Sequence, residues 1–585
     1  MASNSEFYIF RDSRRQVPAR ELLREFEAEL RRFASRPGID EASSLLLRAG
    51  ELECGLHDAQ APEATCERTT RLTDLFASRA LSLDAPAPDG RNLAATAFSI
   101  LEQISDVQIV GVGVPEGFAY YALHPLDYAD LITRLNFNAT SALVVGIRSI
   151  GTTLSAVAAA RLRQLGVAAS RVTVRPTGHP YDRVCEFDAT QLQAIAANVA
   201  ANAEFLICDE GPGRSGSSLL SVAEALEQAG VPRSRICILC SHQPDVSNLC
   251  ATDAARRWLR YRCAHAGLTQ RLPADAGERF GTDGWRRRLH PAQNDWPAVW
   301  PQFERLACIS ADGGTSLTFE GHGHYGAAVS ARNQALSDAG FSPRYLGHEA
   351  GFGKLVAVQG RVARQNDLTP QLLTHMAEYC AWRSREFGVS YVGESDLEAM
   401  ARANFEREFG VALEEFALPV EHPTVCDARM TPQAWLPAED RRWLKLDAAT
   451  RGDDHFFPGP CDIAWDLAGI IVEWELAGPA REFLLAKYQT ASGDAASSRM
   501  ESYALAYATF RMAWSRMAAA SVGDREEEGR LMRDYRKYRE FLRRTQPWRF
   551  VDGGAQEETS RASVAMNLAP GEEAQRELSL RRRSA

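Results

Sequence analysis

Phe205-Leu-Ile-Cys-Asp-Glu-Gly-Pro-Gly-Arg-Ser-Gly-Ser-Ser218 joins a short apolar run to two carboxylates, a Gly/Ser turn and an alanine-containing helical stretch. The apolar run predicts a buried strand, and the residues from Ser217 onward predict a helix. Gly211, Gly213 and Gly216 allow the backbone to bend so that its amides converge on an anion. Ser215, Ser217 and Ser218 add hydroxyl donors, Arg214 lies in the same turn, and the helix that follows directs its positive end there. Asp209 and Glu210 stand ahead of the turn, placed to accept hydrogen bonds from sugar hydroxyls beside a bound phosphate. A nucleoside-triphosphate loop is excluded, because it requires a lysine after its glycines and none is present.

Upstream, Leu143-Val-Val-Gly-Ile-Arg-Ser-Ile-Gly-Thr-Thr153 shows the same order of strand, loop and helix. From about Asn92 to Gln243, apolar runs such as DVQIVGVGV, RVTVRP and RICILC alternate with helical stretches, which predicts an open, mainly parallel α/β sheet. The two loop units, in this order, resemble those of type I phosphoribosyltransferases over roughly residues 95–250. That resemblance implies that residues 209–218 hold the ribose and 5′-phosphate of phosphoribosyl pyrophosphate, with Arg148, Ser149, Gly151 and Thr152 around the pyrophosphate. It implies Mg²⁺ as cofactor, with Asp209 and Glu210 as catalytic residues holding the ribose and the metal's waters. The transition state would be oxocarbenium-like, so anion donors and exclusion of water matter and no protein nucleophile is needed. Arg171–Arg183, which contains Arg175, His179, Tyr181 and Asp182, is either the element that closes over the substrate or a solvated polar loop. His242 follows the RICILC strand, as a ligand contact or as a structural histidine.

In the second half, Thr424-Val-Cys-Asp-Ala-Arg-Met-Thr-Pro-Gln433, Trp443-Leu-Lys-Leu-Asp-Ala-Ala-Thr450 and Pro460-Cys-Asp-Ile-Ala-Trp-Asp-Leu-Ala468 follow one another. One carboxylate for an acceptor hydroxyl and a second for Mg²⁺ are what phosphoryl transfer requires. The segments resemble aminoglycoside phosphotransferases and choline kinase-like enzymes over about residues 302–548. This implies a two-lobed fold, ATP with Mg²⁺, Asp427 as catalytic residue, Asp447 as metal ligand and Asp466 at a following helix start. The chain departs from that pattern in three places. Val425 stands where the family has histidine, Gln433 stands near the metal-binding asparagine, and Thr318 occupies about the place of the small-lobe strand lysine. Lysine occurs only at Lys354, Lys445, Lys487 and Lys537, leaving arginines such as Arg332 or Arg344 to replace it.

A chain of 585 residues, at roughly 100–200 per domain, accommodates several domains. The fold class read here is multidomain α/β and α+β. It comprises a helical segment (1–94), a phosphoribosyltransferase-like parallel-sheet domain (95–250) and a connector rich in Arg, Pro and Trp (251–301). A two-lobed kinase-like domain with a helical C-terminal part (302–550) and a disordered tail (551–585) follow. Hydrophobic residues at 45% and charged residues at 24% exclude a wholly disordered or fibrous chain. With 66 basic against 76 acidic residues the net charge is −10, which argues against nucleic acid as partner. The start lacks a leader pattern and no apolar run reaches the roughly 18 residues of a membrane helix, so a cytoplasmic protein acting on small molecules is expected. Twelve scattered cysteines fit reduced thiols. Cys237 and Cys240 lie three apart on a strand and point to opposite faces, against a zinc site with His242.

The expected function is Mg²⁺-dependent phosphoribosyl transfer between pyrophosphate and a small-molecule or nucleobase-related acceptor, with a kinase-like half that acts on a related intermediate. The alternative is a regulator that senses phosphoribosyl pyrophosphate and carries a degenerate kinase-like half. Neither the acceptor nor the oligomeric state is legible in the residues.

Overall fold

The structure is a computed structural model. It describes all residues except 1–6, 13, 36–37, 83–89, 105–108, 136–138, 214, 268–270, 281–283, 291, 391–393, 439–441 and 546–585. The tail expected at 551–585 therefore lies outside the described residues.

The alternating apolar runs of the first half form a five-stranded parallel sheet in the order Ala168–Val174, Ser141–Ile147, Glu204–Cys208, Ile236–Cys240, Arg262–His265. The central strands are apolar almost throughout because helices cover both faces. Successive side chains go to opposite faces. Ala142, Val144, Leu206 and Leu239 join a core with Leu154 and Ala158 of helix Ile150–Gln164 and with the N-terminal helices. Leu143, Val145, Phe205 and Ile238 pack instead with Leu219, Leu220 and Leu226 of helix Ser217–Gln228.

The amphipathic N-terminal stretch forms helices Ala19–Ser35, Ile39–Asp58, Glu63–Ala80 and Gly90–Leu101. The second comes so close to the first loop's helix that a Cβ at Gly50 would overlap Thr153 Oγ1.

Two expectations need correction. The DVQIVGVGV run does not join the parallel sheet: Ile109–Val112 pairs antiparallel with Arg15–Pro18. The stretch 251–301 is not a plain connector either, since Arg262–His265 is the fifth parallel strand and Ala276–Phe280 opens the next sheet. Both are edge strands in which arginine or glutamate interrupts the apolar signal, as solvent-facing edges allow.

The second half begins with an antiparallel sheet in the order Ala276–Phe280, Ala307–Ser310, Thr315–Phe319, Phe352–Val356, Tyr345–Glu349, with helix His324–Asp338 between the third and fifth of these. Helices Pro370–Glu386, Glu394–Phe409, Ala464–Glu473, Gly478–Ser492, Met500–Ala519 and Arg525–Thr545 follow. Their core is built on buried Trp435, Trp465, Trp474 and Tyr507. Among the described residues no helix is long and apolar enough to cross a membrane.

The halves are joined at backbone carbonyls of the first. His322 N–H donates to Phe118 O at 2.9 Å, and the Arg305 side chain donates to Ala119 O as well as to Phe319 O and Thr450 O of its own half. The leading segment spans both halves. Phe457 N–H donates to Ile9 O and Arg11 N–H to His455 O, and a few residues later Arg15–Pro18 pairs with the first half.

Candidate functional site

Gly146 and Cys208 face each other in register, so the loops beginning at Arg148 and Asp209 emerge side by side at the carboxyl ends of neighbouring parallel strands. Open α/β sheets place ligands in that crevice. Asp209 Oδ1 accepts from Glu210 N–H at 2.9 Å, and its carbonyl accepts from the Tyr128 hydroxyl. Glu210 Oε2 accepts from Gly117 N–H at 2.9 Å, and its carbonyl accepts from Ser241 N–H at 2.9 Å. Asp209 Oδ2 and Glu210 Oε1 accept no hydrogen bond among the described residues. Burial and then the Glu116 and Asp209 carboxylates push Glu210 up to about 8, and burial raises Asp209 to about 6. Glu116 is itself pushed up to about 7, by burial and by Asp454 of the second half.

The turn is tight. Gly213 and Gly216 have φ of +58° and +68°, and a Cβ at Gly211 would lie 2.6 Å from Gly213 N. Gly216 N–H donates to Pro212 O, whereas the N–H groups of Gly211, Gly213 and Ser215 and the Ser218 hydroxyl have no partner among the described residues. Ser217 departs from expectation. Its hydroxyl donates at 2.6 Å to Pro180 O, tying the turn to the hairpin Thr177–His179/Asp182–Val184, and its side chain is buried. Ser215 Oγ lies 3.0 Å from Ser217 Oγ. Arg214 lies outside the described residues.

In the first loop, Arg148 and Ser149 remain partly exposed. Gly151 and Thr152 do not line the crevice as expected. They already belong to helix Ile150–Gln164, where a Cβ on Gly151 would overlap Cys208 O and Thr152 is fully buried. Arg148 Nε lies 3.0 Å from Asp58 Oδ1, and Arg175 binds both Asp58 oxygens while donating to Arg148 O at 2.5 Å. Asp58 and Gly117 join the site only through the fold. The signal at Asp58 is a carboxylate on the last residue of a helix, where the dipole favours a cation and guanidinium partners compensate. His242 is exposed; its Nδ1 lies 2.9 Å from Ser241 Oγ, and desolvation lowers its value.

In the second half Asp427 and Asp466 are buried and bonded to each other, while Asp447 stays partly exposed. Asp466 Oδ2 and Oδ1 accept from the N–H groups of Asp427 and Ala428 at 2.8 and 2.9 Å. Asp427 is fully buried, with Lys445 Nζ on one oxygen at 2.9 Å and the Tyr379 hydroxyl on the other. Asp447, at a φ of +54°, is held by Arg429 Nη1 at 2.9 Å, Arg451 Nε at 2.7 Å and Thr450 Oγ1. Against the burial that would raise it, Arg451 and Arg429 hold the Asp447 carboxyl well below the usual carboxylate range. Thr318 pairs with Gly353 in the sheet, Lys354 turns to Asp275 and Glu349, Arg332 donates to Ala449 O and Asp453, and Arg344 is exposed.

Mg²⁺ takes hard oxygen ligands. Asp209 and Glu210 fit it, each keeping one oxygen unbonded. Asp447 does not fit, because two guanidinium groups already bond its Oδ2 and the Thr450 hydroxyl its Oδ1.

No protein-family profile matches the chain, and no curated protein matches it. Solved structures do. They include choline kinase LicA from Streptococcus pneumoniae (12% identity, 41% of this chain and 90% of that one, TM-score 0.29). A choline/ethanolamine kinase family protein from Mesorhizobium loti matches at 19% identity, covering 45% of this chain and 100% of that one, with a TM-score of 0.27. An ethanolamine kinase from Plasmodium vivax matches at 8% identity, covering 45% and 86%, with a TM-score of 0.27.

Proposed function

We propose that this chain binds phosphoribosyl pyrophosphate with Mg²⁺ at the carboxyl edge of its parallel sheet and transfers the phosphoribosyl group to a small-molecule acceptor. What supports the reading is one juxtaposition: carboxylates with unbonded oxygens at Asp209 and Glu210, directly before a glycine turn with unbonded amides, beside the Arg148 loop. In this reading Asp209 and Glu210 hold the ribose hydroxyls and would hold Mg²⁺, which when bound supplies charge neutralisation for departing pyrophosphate. The amides of Gly211, Gly213 and Ser215 and the Ser218 hydroxyl bind the 5′-phosphate, with the positive end of helix Ser217–Gln228 behind them. Arg148 and Ser149 receive the pyrophosphate. The hairpin at 177–184, tethered through Ser217, covers the crevice from solvent.

Calorimetry on the full chain tests this. Asp209→Asn with Glu210→Gln removes charge-assisted hydrogen bonds worth on the order of 1.5–3 kcal/mol each, so binding of phosphoribosyl pyrophosphate should weaken about tenfold or more. Unchanged binding would sink the assignment. Incubating the chain with a metabolite extract, Mg²⁺ and phosphoribosyl pyrophosphate should yield a species heavier by a phosphoribosyl group.

A second reading, a sensor of phosphoribosyl pyrophosphate whose kinase-like half does not transfer phosphate, is favoured by the state of Asp427 and Asp447. Phosphoryl transfer from ATP would require Lys445 to release the first and Arg429 and Arg451 to release the second. Ligand binding with no transfer to any metabolite supports it.

A further inference from the structure

Asp58 enters the pyrophosphate loop from outside the sheet domain, at the end of helix Ile39–Asp58. Its two oxygens engage Arg175, through Nε at 3.2 Å and through Nη2, and Oδ1 also lies 3.0 Å from Arg148 Nε. That Arg148 nitrogen is buried and 3.0 Å from a carboxylate, yet it is not aimed to form a hydrogen bond with it. Arg175 is further fixed by its bond to Arg148 O and by a 3.2 Å contact to Cys54 Sγ on the same helix as Asp58. Two guanidiniums thus share the single carboxylate of Asp58, with Asp209 also acting on Arg175, and the Asp58 side chain retains a quarter of its surface, 26% exposed.

We propose that Asp58 is a specificity-determining residue of the pyrophosphate subsite, an internal anion that occupies Arg148 and Arg175 until a more highly charged ligand displaces it. The inference rests on the reading of Arg148 as the pyrophosphate contact. The chemistry selects by charge. A carboxylate carries one negative charge, orthophosphate about one and a half at neutral pH, and pyrophosphate or its Mg²⁺ complex presents more oxygens across both guanidiniums than Asp58 can. A monoanion gains nothing by the exchange, so the subsite is closed to small carboxylates and open to pyrophosphate. The helix that carries Asp58 belongs to the N-terminal segment, so that segment tunes a loop of the sheet domain.

The test uses the full chain and two ligands, inorganic pyrophosphate with Mg²⁺ and ribose 5-phosphate with Mg²⁺, measured by calorimetry. Asp58→Asn should tighten pyrophosphate about tenfold, the worth of one displaced charge-assisted contact, and leave ribose 5-phosphate within about twofold. Asp58→Ser serves as a second variant should the amide disturb folding. Weaker or unchanged pyrophosphate binding in folded variants that still bind ribose 5-phosphate overturns the inference and leaves the reading of the site standing. Failure of wild type and variants to bind either ligand overturns the site reading, and the inference with it.

Discussion

Glu210 offers a quantitative test, because its proton and its ligand compete. Its value near 8 means that about one site in eleven is ionised at pH 7, half at pH 8 and most at pH 9. A ribose hydroxyl or Mg²⁺ requires the ionised form, so affinity should rise about tenfold from pH 7 to pH 9, about 1.4 kcal/mol per unit of displaced pKa. The sign for folding is opposite. Glu210 holds its proton more tightly folded than unfolded, so stability from this group is present below about 4.5 and is lost as pH rises through about 8. The unliganded protein should therefore lose thermal stability over that window while ligand binding improves. Calorimetry with ribose 5-phosphate and Mg²⁺ from pH 7 to 9 avoids the ligand's own phosphate titration near pH 6. Glu116→Gln, which removes a like charge facing Glu210, should move the rise to lower pH. A flat profile, or an identical slope in Glu210→Gln, would refute the reasoning.

Two further outcomes concern the second half. Asp447→Asn strips the carboxylate from Arg429 and Arg451 and should destabilise the chain by about 3 kcal/mol, seen as a lower denaturant midpoint; full stability with gained Mg²⁺ dependence would contradict the clamp. Asp466→Ala leaves the N–H groups of Asp427 and Ala428 without acceptors and should cost about 3–5 kcal/mol by the same measurement, a loss below 1 kcal/mol refuting that role.

The cradle was legible because its physics is local. A strand, a glycine turn and a helix start lie within fourteen consecutive residues, and the burial of all four residues from Phe205 to Cys208 follows from the apolar run. What was hidden depends on distant chain. Glu210 meets Gly117, 93 residues away, and Arg175 meets Asp58 at a separation of 117. Asp427 reads as an available carboxylate until Lys445 and Tyr379 close on it from separate elements. Arg262–His265 does not read as a strand because its arginine faces outward at a sheet edge. Ser217 looked like a phosphate donor because nothing nearby in sequence announces Pro180 as its acceptor.

The leading segment imposes an order on biosynthesis. Ile9 is made well before its partner: the backbone it binds, at Phe457, emerges roughly 450 residues later, about 20–90 s at ordinary elongation rates. Until then Ile9, fully buried in the finished protein, has no second-half core to enter. The strand Arg15–Pro18 can dock on Ile109–Val112 early and hold the segment near its final path. The second half thus completes its core with a segment made long before it. A piece beginning at residue 302 would lack the strip that covers Phe456 and Phe457, and would meet the cell's quality control with that groove open.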